Sequence, residues 1–141
     1  MKYYAVIDTN VLVSAMLKWE SVPGAVLVEV LTGRITPLLN EEIVHEYRNV
    51  LSRPKFHFPP EEAALFMEGL MERGVFVDAG PVEETLPDPK DAVFYEVVME
   101  GRKFADSYLV TGNLRHFPQR PFVVDPREML DIMEKSAKKS T

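Results

Sequence analysis

Short apolar runs rich in β-branched and aromatic residues alternate along the chain with longer segments of helical periodicity. Five runs are short enough to be buried strands: Tyr3–Ile7, Ile35–Leu39, Val75–Val77, Ser107–Thr111 and Phe122–Val124. Six segments have the apolar spacing of helices: Val11–Leu17, Pro23–Thr32, Glu41–Ser52, Pro60–Arg73, Pro89–Lys103 and Pro126–Lys138. This alternation predicts an α/β fold, a three-layer α/β/α sandwich with a central parallel sheet.

Residues that start and stop helices stand at the predicted boundaries. Three helices follow a residue that can cap them: Asn40, Asp88 and Asp125. Three helices are expected to end near a glycine: Gly33, Gly74 and Gly101. The run RPKFHFPP (residues 53–60) contains three prolines and two phenylalanines, which indicates an ordered connection.

Length and composition indicate a single folded domain. A chain of 141 residues can bury one core but is short for two. Its 46% hydrophobic and 27% charged residues are typical of a globular protein. We therefore expect one domain over residues 1–135 and a short basic tail over residues 136–141.

The same features favour a cytoplasmic protein with no membrane partner. No run approaches the ~20 apolar residues that span a bilayer, and the apolar start is interrupted by Asp8 with no cleavage pattern after it. The chain has no cysteine, which excludes disulfides, thiolate metal sites and a cysteine nucleophile.

A net charge of −6 excludes a broad basic surface for nucleic acid. Any contact with phosphate must therefore be local. Lysine and arginine gather in three places: Arg48, Arg53 and Lys55; Arg102 and Lys103; Arg115 and Arg120. These groups are equally well explained as solvated faces.

An open parallel sheet binds ligands at the carboxyl ends of its strands. The acidic residues expected near those ends are therefore the candidate ligands. Asp8 ends the first strand in the run AVIDTN, so its side chain is expected at that rim. The alternative is an N-cap for the helix that follows.

Glu46 is selected by helical periodicity. In EEIVHEYRNVL the apolar positions form one buried face. At ~100° per residue, Glu46 borders that face, whereas Glu41, Glu42 and His45 lie further from it. Glu46 is thus the acid of this helix best placed to reach a cleft beside the sheet; the alternative is a boundary residue in solvent.

Asp91 lies on the apolar side of the next candidate helix. The polar stripe of that helix is formed by Glu96, Glu100 and Lys103, and Asp91 points away from it at ~100° per residue. An inward carboxylate favours a metal-ligand role, with Asp88 as the capping residue. The alternative is a capping box that joins Asp88 and Asp91.

The run ADSYLVTGN places Asn113 just after a strand, at the same rim as Asp8. Asp106 precedes that strand, roughly 16 Å away at ~3.3 Å per residue, and is excluded. Thr111 and His116 are near the rim, but a lone loop histidine is usually a surface residue. Neither His45 nor His57 has metal-ligand spacing.

A set of carboxylates and an amide is a hard oxygen site suited to Mg²⁺ or Mn²⁺. Such an ion could neutralise a phosphate oxygen and lower the pKa of a bound water, and a carboxylate could help remove the proton of that water. The site therefore suits phosphodiester hydrolysis.

Four motifs in this order resemble the PIN-domain family, in particular the VapC-like toxins of toxin–antitoxin pairs. The motifs are AVIDTNVLVSAML, NEEIVHEYRNVLSRPKF, DPKDAVFYEVVMEG and ADSYLVTGNLRHFP, and the resemblance extends over most of the chain. The resemblance implies a PIN-like sandwich, divalent-metal-dependent cleavage of single-stranded RNA, frequent homodimers and inhibition by an antitoxin protein. The acidic quartet of the family falls on Asp8, Glu46, Asp91 and Asn113.

Asn113 departs from the family pattern, which often has aspartate there. An amide can coordinate Mg²⁺ or bind water but adds no negative charge, so three carboxylates remain: Asp8, Glu46 and Asp91. The resemblance implies an endoribonuclease, and the alternative is a catalytically impaired PIN-like module that binds RNA or regulates.

Two other classes of α/β protein fit less well. A haloacid-dehalogenase-like phosphatase needs a second aspartate where this chain has Asn10, and a receiver domain needs an acidic pair that the chain lacks. The working hypothesis is that Asp8, Glu46 and Asp91 hold the metal and Asn113 orients water. Supporting hydroxyls are expected from Thr9 and Thr111, and phosphate contacts from Arg48, Arg53 and Arg115.

Overall fold

The computed structural model describes residues 2–139, with side chains through Ala137. Five strands form one sheet: β1 (Tyr3–Ile7), β2 (Ile35–Leu39), β3 (Val75–Phe76), β4 (Ser107–Val110) and β5 (Val123–Val124). Their order is β3-β2-β1-β4-β5, and every neighbouring pair is parallel. This confirms the predicted central parallel sheet.

Six α-helices connect and flank the strands: α1 (Thr9–Leu17), α2 (Val22–Leu31), α3 (Glu41–Leu51), α4 (Pro60–Arg73), α5 (Ala92–Gly101) and α6 (Pro126–Lys139). Helix α5 packs on β1, β2 and β4, while α2 packs on β2 and contacts α1, α4 and α6. All five residues of β2 are buried, as expected for a strand covered on both faces. The α/β/α sandwich is therefore confirmed.

Most predicted boundaries agree with the structure to within one residue, and β1, β2 and α4 agree at both ends. Helix α1 begins two residues early, because the carbonyl of Asp8 accepts hydrogen bonds from the N–H groups of Val11 and Leu12. The helix therefore starts directly after β1, and Asp8 is held where strand and helix meet.

The helix predicted from Pro89 to Lys103 was wrong at its start. Residues Pro89–Asp91 form a short 3₁₀ helix, and the α-helix begins only at Ala92. Asp88 Oδ1 accepts a hydrogen bond from the Lys90 N–H at 3.0 Å, which tightens this turn. Asp91 therefore lies at a junction between two kinds of helix.

The other sequence features have local explanations. Asn40 caps α3 through the N–H of Ile43, and Asp125 and Glu128 form a reciprocal capping box at the start of α6. Helix α6 runs to Lys139, so no helix end marks the boundary expected at residue 135. Residues 140–141 of the expected tail lie outside the described residues.

The order in which the chain adds strands to the sheet reverses between β1 and β4. The chain builds β1, β2 and β3 outward to one side, then returns to add β4 and β5 on the other. Such folds bind ligands at the carboxyl ends of the two strands beside the switch, here β1 and β4, and we name this region the crevice. In residues 2–139 no single helix is long and apolar enough to cross a bilayer; α1 and α2 qualify only as a pair bent by 101°.

Candidate active site

Asp8 lies at the centre of this crevice and is 6% exposed. Its Oδ2 accepts hydrogen bonds from the Thr111 hydroxyl at 2.7 Å and from Asn10 Nδ2 at 3.3 Å. The Asp8 side chain makes no capping hydrogen bond to α1. The carboxylate is therefore held by side chains from the end of β4 and the first turn of α1, and the capping alternative does not explain it.

Thr111 links the ends of β1 and β4. It is fully buried, and while its hydroxyl donates to Asp8 its oxygen accepts the backbone N–H of Asn113 at 3.0 Å. Asn10 forms a second link, since its Oδ1 accepts the N–H of Gly112 at 3.1 Å. These bonds bring Asn113 to the predicted rim, where its side chain is exposed.

Helix α3 brings Glu46 to the same rim. The Thr9 hydroxyl donates a hydrogen bond to Glu46 Oε2, which ties this helix to the first turn of α1. One residue further on, the fully buried Tyr47 donates its hydroxyl to the backbone carbonyl of Ile7. Glu46 and Tyr47, which are neighbours on α3, therefore hydrogen-bond to the residues on either side of Asp8.

Asp91 approaches from the start of α5. Its side chain makes no capping hydrogen bond to that helix, so the proposed capping box with Asp88 is absent. Within the described residues, Asp91 Oδ2 is buried and accepts no hydrogen bond of good geometry. The neighbouring side chain is that of His116, whose Nδ1 lies 3.2 Å from this oxygen. A buried, unsatisfied carboxylate oxygen is the expected condition of a group that awaits a cation or a water.

Comparison with known proteins agrees with this arrangement. A family model of the PIN domain matches residues 4–115. The chain belongs to the PIN-domain family. The matched segment includes all four predicted site positions of this PIN domain: Asp8, Glu46, Asp91 and Asn113. PIN domains are generally nucleases and typically use divalent metals. No curated protein matches the chain significantly.

The carboxylates of the PIN domain lie close enough to affect one another. The pKa of Asp8 is raised to about 6, chiefly by burial and also by the negative charges of Asp91 and Glu46, against the lowering effect of the Thr111 hydrogen bond. The crevice is therefore a concentrated negative site at neutral pH, where Asp8 is ionised in spite of its burial.

The pKa of Asp91 is raised as well. Burial is the largest cause and the charge of Asp88 is the second; contact with His116 lowers the pKa, and the charge of Glu46 adds a smaller increase. Burial also places the pKa of Tyr47 well above its usual value, and the charges of Asp8 and Glu46 add to this effect. Tyr47 is therefore a neutral hydrogen-bond donor.

The donor chemistry of this crevice fits Mg²⁺ or Mn²⁺, since it offers carboxylate oxygens, an unsatisfied Oδ2 on Asp91 and nearby hydroxyls. Across residues 2–139, however, no three acidic, histidine or cysteine side chains are grouped closely enough to hold an ion as they stand. Thr9 engages Glu46, and His116 faces Asp91. Metal binding at this rim would therefore require side-chain adjustment.

The predicted supporting residues occupy different places. Thr9 and Thr111 are buried and contact the carboxylates directly, whereas Asp88 is exposed and caps the 3₁₀ helix. The arginines predicted to meet phosphate are all exposed: Arg48, Arg53 and Arg115. Arg48 lies on α3 two residues beyond Glu46, and Arg115 precedes His116.

Three side chains contribute more than the sequence indicated: Asn10, Tyr47 and His116. The role of Asn10 could have been predicted from the sequence, because it lies two residues after Asp8 at a strand end. Tyr47 was assigned only to the buried face of α3. His116 was treated as a surface residue, and although it is exposed it is the histidine that contacts Asp91.

Tyr47→Phe is expected to lower the free energy of unfolding by about 1–2 kcal/mol. The substitution keeps the buried ring but leaves the Ile7 carbonyl without its hydroxyl donor. Urea unfolding monitored by circular dichroism measures the effect. The matched control is Tyr108→Phe on β4, where the ring is only partly buried. Equal losses in the two variants would argue against a specific role for the Tyr47 hydroxyl.

Proposed function

We propose that this PIN domain is a divalent-metal-dependent endoribonuclease that cleaves single-stranded RNA. The observation that carries the proposal is that Asp8, Glu46 and Asp91 lie near enough to affect one another's charge at the strand-order switch, and that Asp91 Oδ2 is buried without a hydrogen bond of good geometry. In the proposal these three carboxylates are the metal ligands, and Asn113 orients a water molecule. When bound, Mg²⁺ or Mn²⁺ lowers the pKa of water and neutralises charge on the phosphate.

The side chains of the protein have separate tasks in this proposal. Thr111 and Asn10 orient the Asp8 carboxylate, and Thr9 orients Glu46. A carboxylate accepts the proton of the attacking water. Asp91 is the candidate, because its Oδ2 has no hydrogen-bond donor of good geometry among the described residues and its pKa is raised by burial.

The RNA is proposed to run along the rim between the exposed arginines. Arg48 and Arg53 lie on one side, on and just beyond α3, and Arg115 lies on the other, beside His116. Because the chain carries a net charge of −6, these local cations are the expected sites of phosphate contact. They bind the backbone and therefore add affinity without sequence specificity.

A toxin role, with an antitoxin partner, a homodimer and a cytoplasmic location, is proposed from the resemblance to VapC-like toxins. The structure offers apolar surface that a protein partner could cover. Leu17, Trp19 and Leu65 are 58%, 42% and 67% exposed, and the Trp19 ring contacts Phe66 of α4 edge-on. We propose that the antitoxin or a second copy of the chain covers these side chains, as contiguous exposed apolar surface commonly marks a protein interface.

Incubation of the purified protein with mixed-sequence single-stranded RNA tests the function. Cleavage is expected with Mn²⁺ or Mg²⁺ and not with EDTA, because an ion held by the three carboxylates would lower the pKa of the attacking water. Asp91→Asn should be inactive while retaining its circular dichroism spectrum. Cleavage that persists in EDTA would contradict the metal-dependent mechanism.

The second candidate is an impaired PIN domain that binds RNA without cutting it. The amide at Asn113 and the lack of a closed three-ligand group in residues 2–139 favour it. Asn113→Asp distinguishes the two candidates. If the wild type binds RNA without cleaving it and the Asn113→Asp variant cleaves it, the protein is an impaired PIN domain.

A further inference from the structure

The connection between α3 and α4, which we name the aromatic turn (residues 54–58), contains two partly buried phenylalanines that pack against the edge of the hydrophobic core. The rings of Phe56 and Phe58 stack with centroids 5.5 Å apart and planes inclined by 15°. The ammonium of Lys55 lies 5.0 Å from the centre of the Phe56 ring. Both rings are partly exposed, and Lys55 is exposed. The turn thus presents a π surface next to a cation.

The backbone of the aromatic turn is held in an unusual conformation. His57 has φ 56° and ψ 30°, and within residues 2–139 it is the only non-glycine residue with positive φ. A left-handed conformation is disfavoured for an L-residue because its Cβ comes close to the following carbonyl oxygen. Prolines at positions 54, 59 and 60 restrict the chain on both sides. Strained, rigid segments of this kind are concentrated at ligand sites.

The aromatic turn follows α3, the helix that carries Glu46. Helix α3 ends at Leu51, five residues beyond Glu46, which is about 7–8 Å along the helix axis at ~1.5 Å per residue, and the turn begins three residues later. Arg53 directly precedes the turn and is exposed, whereas Arg48 is exposed on α3 and contacts α4. Arg53 and Lys55 therefore place two exposed cations at the turn, in a chain that is acidic as a whole.

We infer that the aromatic turn is a nucleobase-stacking subsite for single-stranded RNA that extends from the carboxylate crevice. The inference rests on the proposed function, because the RNA is the substrate proposed for that crevice. An unpaired base stacks on the Phe56 and Phe58 rings, and Lys55 and Arg53 meet the neighbouring phosphates. Because every base has a π face, the subsite selects unpaired RNA and not a particular base.

Binding is measured by fluorescence anisotropy in EDTA, with a single-stranded RNA of about ten nucleotides. Phe56→Leu and Phe58→Leu keep apolar packing and remove the flat ring. Each is expected to weaken binding about tenfold, within the range for loss of one stacked base. Phe58→Tyr keeps the ring and should bind like the wild type.

Phe104→Leu is the matched control. Phe104 is 55% exposed and contacts Tyr4 edge-on, but it precedes β4 and lies at the opposite end of the sheet. Its substitution should not change RNA affinity. Binding of an RNA duplex should be equally insensitive to Phe58→Leu, because paired bases offer no free face. Lys55→Gln leaves both rings in place and should weaken binding of the single strand. It tests the subsite independently if a leucine variant fails to fold.

The length of the substrate separates the subsite from the crevice. With Mn²⁺, the leucine variants should cleave a dinucleotide at the wild-type rate and the longer RNA less efficiently, through a higher KM. If folded Phe56→Leu, Phe58→Leu and Lys55→Gln bind the longer RNA like the wild type, the subsite is wrong while the nuclease stands. If the wild type neither binds nor cleaves RNA, both proposals fail.

Discussion

Asp8→Asn is expected to reduce metal-dependent RNA cleavage by at least about 100-fold and to make the metal-free protein more stable at pH 7. Loss of a residue that only supports a metal ligand commonly costs 10–100-fold, so loss of a ligand should cost more. The amide oxygen can still accept the hydrogen bonds of Thr111 and Asn10. The variant should therefore fold normally and lose only the charge.

The gain in stability follows from the pKa of Asp8. Burial raises it to about 6 in the folded protein, against ~3.9 in an unfolded chain. Between these values the folded state binds more protons than the unfolded state, so stability falls as the pH rises through 6. The loss is about 2–3 kcal/mol by pH 7. Asparagine does not titrate, so the variant avoids this loss.

Urea unfolding in EDTA at pH 4 and pH 7 measures the difference between wild type and Asp8→Asn. The two proteins should be similarly stable at pH 4, where Asp8 is protonated, and should diverge at pH 7 in favour of the variant. Asp106→Asn is the control, because Asp106 is at the other end of β4 and its side chain is 86% exposed. A variant less stable than the wild type at pH 7 would contradict a desolvated carboxylate at position 8.

The positions of Asp8 and Asn113 could be predicted because they depend on strand direction alone. Parallel strands bring their carboxyl ends to one rim, and the run before each residue has the pattern of a buried strand. The strand-order switch between β1 and β4 then makes that rim a crevice. Local pattern and a general rule of topology were sufficient for this part of the site.

The contacts that complete the site could not be predicted, because they join distant parts of the chain. Helical periodicity places Tyr47 on a buried face, but it does not reveal that the hydroxyl reaches the Ile7 carbonyl, 40 residues away. The contact between His116 and Asp91 depends on a short 3₁₀ helix at each residue. Such turns are fixed by local hydrogen bonds, including the one between Asp88 and Lys90, and leave little trace in hydrophobic periodicity.

Asn113 shows the limit of inference from residue type. Its backbone is held by Thr111 at the rim, yet its side chain is exposed. The fold therefore keeps the position that the family often fills with aspartate, while the charge is absent. Position and charge are separable, which is why Asn113→Asp tests catalytic competence without a change in architecture.

Mn²⁺ or Mg²⁺ at about 100 times its Kd is expected to raise the free energy of unfolding by about 2.7 kcal/mol. For a chain of this size the thermal midpoint should rise by about 5–10 °C. The physical reason is that the ion relieves repulsion among Asp8, Glu46 and Asp91 and satisfies the buried Oδ2 of Asp91. Thermal unfolding by calorimetry, with and without metal, measures the shift.

Asp91→Asn should abolish most of this shift, because it removes one of the three charges and the unsatisfied oxygen. Glu100→Gln is the matched control, since Glu100 is on the same helix near its other end and pairs with Lys103; it should retain the full shift.

The shift should shrink at pH 5, where protons compete with the metal for Asp8 and Asp91. Asn113→Asp adds a carboxylate to the same rim and should reach its half-maximal shift at a lower metal concentration. Equal shifts in the wild type and Asp91→Asn would mean that the ion binds elsewhere, and the three-carboxylate site would then have to be abandoned even if RNA is cleaved.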